Sequence, residues 1–379
     1  EVLNFRKRGI DAETLPLVAY GSMLFGSPYI FGETASSLGL ACATCHNGSD
    51  TNRSFYIPGI SHQRGAIDVR GSFFNALFND HRHNSVDIPS LRGLRFTGPY
   101  GRDGRFASLR DFIRNVIVGE FGGSEPSPFM LDALVAYMLE FDFLPNSKLN
   151  AQGQLTAKAS AAARRGEALF RKPFEQMGGR SCATCHVPSA SFLDRKSHNI
   201  GSALPGYGGA RDGAFDTPTL LGSSFTAPYF HDGRLPTLKS VVAWFNNRYK
   251  LELKSSDRLD LVAYLKTVGD ADEPYQRFDA ENTEFRLSWR EFKTFASTFE
   301  TLLPSRDGKH ARLLLKTLAG DLVADAGSMA NLPARPKLYE LSLLLDKVRE
   351  SVVADDWTKA ATTWRELKRL QARYDADMY

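Results

Sequence analysis

The chain has 379 residues, of which 42% are apolar and 11% aromatic, enough for the buried cores of two or three domains. Its 47 Lys and Arg residues nearly balance its 43 Asp and Glu residues, and it has no long basic run that would follow a phosphate backbone, which argues against nucleic acid as a partner. No apolar run approaches the roughly 20 residues of a membrane span, so we expect none.

The first distinctive element is the pentapeptide Cys-Ala-Thr-Cys-His at residues 42–46, which returns at residues 182–186. Two thiols three positions apart can add to the two vinyl groups of a haem while the adjoining His binds the iron. A zinc site would need further Cys or His nearby, and a thioredoxin-like pair would not need the His. The sequence therefore predicts two covalently bound haem c groups, held by Cys42, Cys45 and His46 and by Cys182, Cys185 and His186.

Haem attachment uses all four cysteines of the chain and leaves none for a disulfide. Because haem c is normally installed after export, we expect a periplasmic protein. The sequence begins at Glu1 without an initiator Met, so we expect that a leader has been removed or the sequence trimmed.

The segments around the two pentapeptides also repeat. Residues 21–25 match residues 166–170, and both are predicted to lie on short helices that lead into the haem loops. Downstream, residues 87–91 and 96–105 return at an offset of 129 as residues 216–220 and 225–234.

Each repeated turn is followed by a predicted helix. Ser108 with Asp111, and Thr237 with Ser240, stand where an N-cap and its N3 partner belong. A further apolar helix closes each unit and carries Leu-Val-Ala-Tyr at residues 134–137 and 261–264. This self-similarity predicts an all-α fold with two cytochrome c-like haem domains at residues 1–145 and 146–270, joined by the polar stretch 146–159.

Residues 271–379 carry no further haem-binding motif. Apolar positions at helical spacing in residues 292–303, 312–323, 338–353 and 357–374 predict a helical extension. Two interpretations stay open: a brace packed on the haem domains, or a docking surface for a partner.

The two Cys-x-x-Cys-His units, each followed by a Pro-Tyr…Asp-Gly-Arg turn, and Ala-Pro-Tyr-Phe-His-Asp-Gly at residues 227–233 resemble the bacterial di-haem cytochrome c peroxidase family, which includes MauG. The similarity covers about residues 15–270 and leaves the extension outside. It implies that the N-terminal haem meets peroxide, that the C-terminal haem stores or relays an electron, and that a calcium ion lies between the domains.

The sixth ligand of the second iron departs from the family pattern. The resemblance places a Met or Tyr fourteen residues after His231, where this chain has Phe245, which cannot bind iron. The second haem is therefore predicted to be five-coordinate or to borrow a ligand from Tyr249, His198 or His231, although the resemblance gives His231 a hydrogen-bonding role beside the haem.

For the first iron, the resemblance places a reversible distal His at His62, and His81 and His83 on the same loop are alternatives. Glu120 resembles the distal glutamate that moves a proton during peroxide cleavage; the alternative is a surface carboxylate at a helix end. Arg102 stands where the family has an inter-haem Trp.

The resemblance also implies calcium ligands. Asp87 resembles an Asn ligand of the family, and Thr226 and Pro228 match positions that contribute backbone carbonyls. The alternative is that Asp87 caps the turn before Pro89.

Three functions remain open from the sequence. The favoured one is a MauG-like oxidoreductase that uses hydrogen peroxide to oxidise a partner protein. A cytochrome c peroxidase that draws electrons from a small redox protein is the second, and a non-catalytic di-haem electron carrier is the third.

Overall fold

The computed structural model describes residues 14–82, 84–203, 213–272, 284–329 and 331–378. Its helices are α1 (Thr14–Gly26), α2 (Glu33–Ser37), α3 (Cys42–Cys45), α4 (Leu109–Arg114), α5 (Pro128–Met138), α6 (Ala161–Arg171), α7 (Cys182–Cys185), α8 (Leu238–Tyr249), α9 (Ser255–Val268), α10 (Glu284–Leu302), α11 (Gly308–Ser328), α12 (Arg335–Val353) and α13 (Trp357–Tyr374). The predicted all-α fold, two haem repeats and a helical extension, is confirmed. No helix in the described ranges is long and apolar enough to cross a membrane.

Each repeat also contains one small antiparallel sheet that the sequence did not predict. Strand β1 (Ala66–Ile67) pairs with β2 (Val86–Asp87), and β3 (Ser197–His198) pairs with β4 (Phe215–Asp216). The last residues of β2 and β4, Asp87 and Asp216, are 129 residues apart, so the sheets occupy equivalent places in the two repeats.

A pair of crossing helices forms the frame of each repeat, and a glycine lies at each crossing. A Cβ on Gly21 of α1 would come within 2.0 Å of the Ala133 carbonyl oxygen on α5. A Cβ on Gly166 of α6 would come equally close, 2.0 Å, to the Asp260 carbonyl oxygen on α9. The matching glycines in the sequence are therefore a packing requirement, because a larger residue would push the two backbones apart.

The predicted N-caps are confirmed. Ser108 Oγ accepts a hydrogen bond from Asp111 N at 3.3 Å, and Thr237 Oγ1 accepts one from Ser240 N at 3.0 Å. Helices α4 and α8 therefore begin at equivalent positions, and both carry residues that face the haem sites.

Helices α10 to α13 form the extension and pack on the first repeat. Tyr20 Oη donates to Thr298 O at 2.8 Å, and Thr317 Oγ1 donates to Ser27 Oγ at 2.8 Å. The extension and the first repeat share one hydrophobic core, whereas the second repeat has a smaller core that includes Phe170. This packing favours the brace over the docking surface.

A hydrogen-bonded series also joins the extension to α5. Ser127 Oγ, the N-cap of α5, lies 2.6 Å from His310 Nε2, and His310 Nδ1 lies 2.5 Å from Asp307 Oδ2. Asp307 is itself the N-cap of α11. One histidine thus connects the caps of two helices, one from the haem repeat and one from the extension.

We expect Ser127→Ala to lower the free energy of unfolding of the haem-loaded protein by about 1–2 kcal/mol, because it removes both the cap of α5 and the contact with His310. Urea unfolding followed by Trp fluorescence measures this, since Trp289, Trp357 and Trp364 lie in the extension. The matched control is Ser297→Ala, whose exposed hydroxyl bonds only within its own helix. An equal loss of unfolding free energy in the two variants would contradict a stabilising role for the contact between Ser127 and His310.

Candidate functional site

Both pentapeptide histidines direct one ring nitrogen at a backbone carbonyl. His46 Nδ1 lies 3.0 Å from Pro89 O, and His186 Nδ1 lies 3.3 Å from Phe192 O. Because a carbonyl only accepts, Nδ1 carries the proton and Nε2 is the basic nitrogen. Burial lowers the pKa of both rings, to about 4 for His46. Neutral imidazoles with a basic Nε2 are suitable ligands for haem iron.

One cavity of about 710 Å³ is lined by both pentapeptides and by apolar side chains of both repeats. Burial raises the pKa of the Cys42 and Cys45 thiols to about 12 and that of Cys182 to about 11, which argues against a thiolate redox pair. Paired thiols, neutral histidines and apolar walls fit two covalently held haem c groups.

Reciprocal hydrogen bonds join the two repeats beside this cavity. Asp87 N donates to His231 O at 2.9 Å, and Asp216 N donates to Arg102 O at 2.9 Å. Asp216 lies 129 residues after Asp87, and His231 lies 129 residues after Arg102. The same bond is therefore made once in each direction, as a local two-fold relation between the repeats requires, and all four residues line the cavity.

The predicted acid, Glu120, is buried and lines the cavity. Asn115 Nδ2 donates to Glu120 Oε1 at 3.1 Å, and Arg105 Nη2 lies 3.5 Å from the same oxygen. Burial raises the pKa of the Glu120 carboxyl, while the charges of Arg105 and Arg70 oppose that rise. Glu120 is thus a buried carboxyl next to a guanidinium, and the alternative of a surface carboxylate does not describe it.

A π-helical segment, Asn115–Glu120, produces this geometry. Residues five apart lie on one side of a π-helix, whereas in an α-helix they diverge by about 140°, so the π turn brings Asn115 next to Glu120. The Asn75 side chain donates to Val118 O at 3.2 Å and to Gly119 O at 2.7 Å, satisfying carbonyls of this turn. Neither Arg105 nor Asn115 was predicted from the sequence as a site residue. Arg105 could have been found, because it ends the Asp-Gly-Arg turn that occurs in both repeats.

The corresponding side of the second haem site is aromatic. Phe245 and Tyr249 line the cavity with their ring centroids 6.3 Å apart, and Trp244 packs edge-on against Phe245 at 5.0 Å. Tyr249 stands 129 residues after Glu120, so a phenol follows the repeat offset in the sequence where the first repeat has the acid. Met177 also lines the cavity.

The distal histidine candidates of the first repeat lie elsewhere. His62 and His81 are exposed and do not belong to the cavity lining, and His83 lies outside the described residues. Among the residues that the structure describes, the first repeat contributes only His46 as a histidine to the cavity. A ligand role for His62 therefore stays a prediction that this placement does not favour.

Both histidine candidates of the second repeat line the cavity. His198 Nε2 lies 2.6 Å from Asp194 Oδ2, and the His231 ring stacks on Phe215 with the centroids 3.8 Å apart. The donor atoms of Cys185, Asp194 and His198 lie within 4.8 Å of one another, but the Cys185 sulfur belongs to the haem attachment, so we assign no separate metal ion there.

Two of the predicted calcium ligands, Asp87 and Pro228, lie close to the same glycine of the second repeat. Asp87, Thr226 and Pro228 all line the cavity, and a Cβ on Gly233 would lie 2.9 Å from Pro228 Cγ and 3.4 Å from Asp87 Oδ1. Arg102 Nη2, however, donates to the carbonyl oxygen of Asp87 and lies 3.1 Å from its Oδ2. Asp87 therefore fits the role of a calcium ligand poorly, because a guanidinium already holds two of its three oxygens.

The chain is similar to several known proteins. The model of the di-haem cytochrome c peroxidase family matches residues 160–307. The chain is 28% identical to hydrazine synthase subunit gamma of Kuenenia stuttgartiensis, covering 66% of this chain and 77% of the relative. It is 25% identical to the methylamine utilization protein MauG of Methylophilus methylotrophus (67% and 83% covered) and 24% identical to cytochrome c551 peroxidase of Nitrosomonas europaea (69% and 82% covered).

Among solved structures, a MauG-like protein associated with microbial copper homeostasis aligns with a TM-score of 0.48 and 19% identity, covering 69% of this chain and 91% of that one. The paired haem-attachment motifs, the cavity that they share and the matching family model lead to one assignment. Residues 160–307 match the di-haem cytochrome c peroxidase family, and the chain as a whole is similar to MauG and cytochrome c peroxidase relatives.

Proposed function

We propose that this chain is a periplasmic, peroxide-dependent oxidoreductase in which the first haem site receives hydrogen peroxide and a partner protein is oxidised through the second. When bound, the two haem groups supply the iron that reacts with peroxide and stores oxidising equivalents. The observation that carries the proposal is the buried pair of Glu120 and Arg105 in the first site, whereas Tyr249 stands at the matching sequence position in the second.

Glu120 is placed for proton transfer during cleavage of the peroxide O–O bond. With haem and peroxide bound, the Glu120 carboxylate would take the proton from one peroxide oxygen and deliver it to the other, which would leave as water, while the haem groups would supply the two electrons that this cleavage consumes. The Arg105 guanidinium favours the ionised carboxylate before the transfer and stabilises negative charge on the departing oxygen. Asn115 holds Oε1 in position throughout.

The second site is suited to electron transfer rather than proton transfer. Trp244 and Tyr249 are oxidisable side chains that are only partly buried, and both contact Phe245 of the cavity wall. A partner protein docked over them could lose an electron through these rings. The similarity to relatives named MauG supports a MauG-like activity.

A cytochrome c peroxidase with a small redox protein as donor is the second candidate function. It would need a high-potential second iron, typically with a Met ligand. Met177 at the cavity is the observation that favours it.

Glu120→Gln should reduce the second-order rate constant for reaction with hydrogen peroxide by about 10²–10⁴-fold, because the amide cannot take up the proton. Stopped-flow absorbance of the haem-loaded protein measures it. Glu125→Gln is the matched control, since Glu125 is exposed and pairs with Arg114 on the same segment. A Glu120→Gln variant as fast as the control would refute the assignment of Glu120.

The pH dependence of that rate constant provides an independent check. Glu120 acts as a base only when ionised, and burial raises its pKa, so the rate should fall on acidification at a pH above about 4.3, the value for an exposed Glu. The Glu120→Gln profile should lack this step. A wild-type profile that stays flat down to that pH would count against the proposal.

Phe245→Met should change the second iron from high-spin toward low-spin, because a thioether at this cavity wall can bind iron and a phenyl ring cannot. Low-temperature EPR of the resting ferric protein counts the two spin states. Met177→Leu is the control for the second candidate function and should leave the wild-type spectrum unchanged. Loss of a low-spin signal in Met177→Leu would instead identify Met177 as a ligand and favour the peroxidase.

A further inference from the structure

Arg102 binds Asp87 through its side chain and the second repeat through its backbone. Nη2 donates to Asp87 O and lies 3.1 Å from Asp87 Oδ2, while Arg102 O accepts the hydrogen bond from Asp216 N. Asp87 N in turn donates to His231 O. Arg102 thereby contacts both β2, through Asp87, and β4, through Asp216, where the two repeats meet.

The charges around Asp87 already balance without a metal ion. Asp87 and Asp232 are buried and close enough for each charge to affect the other. Arg102 pairs with the first carboxylate, and Arg234 Nε lies 3.6 Å from Oδ1 of the second. Two carboxylates facing two guanidinium groups leave no net negative charge to attract a divalent cation.

Asp87 itself also has few oxygens left for calcium. Calcium takes six to eight oxygen ligands. The carbonyl oxygen and Oδ2 of Asp87 accept from Arg102, and only Oδ1 has no hydrogen-bond partner in the described part of the chain. A calcium ion at Oδ1 would also lie within a few ångströms of the guanidinium and be repelled by it.

We propose that the guanidinium of Arg102 takes the place of the inter-repeat calcium ion, so that this chain holds its two haem sites together without a divalent metal. The role is one of positioning, because Arg102 acts on Asp87 and through it on the contact with His231. It is independent of the peroxide chemistry proposed above.

The first test uses the wild-type, haem-loaded full chain. Metal analysis after purification without chelator should find far less than one calcium per chain, and the Tm should be the same in EGTA as in calcium chloride, since a ligand that does not bind the folded state cannot stabilise it. One equivalent of calcium that EGTA removes, with a fall in Tm, would overturn the proposal.

The second test replaces the guanidinium. Arg102→Gln should lower the Tm by on the order of 5 °C, because it leaves the Asp87 carboxylate buried and unpaired, and calcium chloride should restore part of that loss. The control is Arg53→Gln, which removes a guanidinium that donates to Phe225 O in the other repeat and forms no ion pair with Asp87. Two results would overturn the proposal that Arg102 replaces calcium. One is an Arg102→Gln protein whose Tm does not rise with calcium chloride, and the other is a Tm equal to that of Arg53→Gln.

If Arg102→Gln does not accumulate, the wild-type comparison of EGTA with calcium chloride decides alone. Both readouts are independent of peroxide turnover. Absence of the proposed oxidase activity would therefore not contradict the role of Arg102. Equally, a calcium requirement would not contradict the proposed activity.

Discussion

Two backbone hydrogen bonds, Asp87 N to His231 O and Asp216 N to Arg102 O, determine how the two haem sites face each other. The donors are the last residues of strands β2 and β4. Two residues after Asp87, the carbonyl oxygen of Pro89 accepts a hydrogen bond from Nδ1 of His46. The same short segment therefore contacts the partner repeat with one group and orients the proximal histidine with another. A shift of the interface would also move a ligand of the iron, so repeat packing and haem geometry are coupled.

The extension makes the two repeats unequal. Helix α1 has no charged residue, whereas its counterpart α6 carries charges such as Arg165, which pairs with Asp260 at 2.7 Å. A helix that is apolar all round needs cover on every side, and α1 obtains it from α5 on one side and from α10 and α11 on the other. The sequence contained this signal, because an uncharged α1 implies a second layer that α6 does not need.

Local patterns predicted the parts of the fold that depend on local physics. The pentapeptides, the N-caps at Ser108 and Thr237 and the extension helices all follow from spacing and capping, and the helices differ from prediction mainly at their ends. For example, α11 spans Gly308–Ser328 rather than residues 312–323, because its cap Asp307 precedes the apolar stripe. The ends of such helices depend on polar capping residues, which the helical spacing of apolar residues does not reveal.

The parts that could not be predicted depend on contacts between distant segments. The family resemblance pointed to His62, but the loop places it in solvent. The π turn at Asn115–Glu120 depends on Asn75, forty residues earlier, to satisfy its carbonyls. Arg102 was noticed only as a missing Trp, since no periodicity shows that a side chain will turn back onto the carbonyl and carboxylate of Asp87.

The two haem sites differ in the side chain that an equivalent arginine, Arg105 or Arg234, contacts in each repeat. In the first repeat Arg105 approaches Glu120 at 3.5 Å, so the site contains an acid that can gain and lose a proton beside a fixed positive charge. In the second repeat the equivalent Arg234 lies over the Phe230 ring at 5.4 Å, and Tyr249 replaces the acid. Aromatic rings accept a nearby cation and can pass an electron, but they supply no carboxylate for proton transfer at this position. On the function proposed above, this difference at the end of the helix assigns proton transfer to the first site and electron transfer to the second, while both repeats make the same reciprocal backbone hydrogen bond.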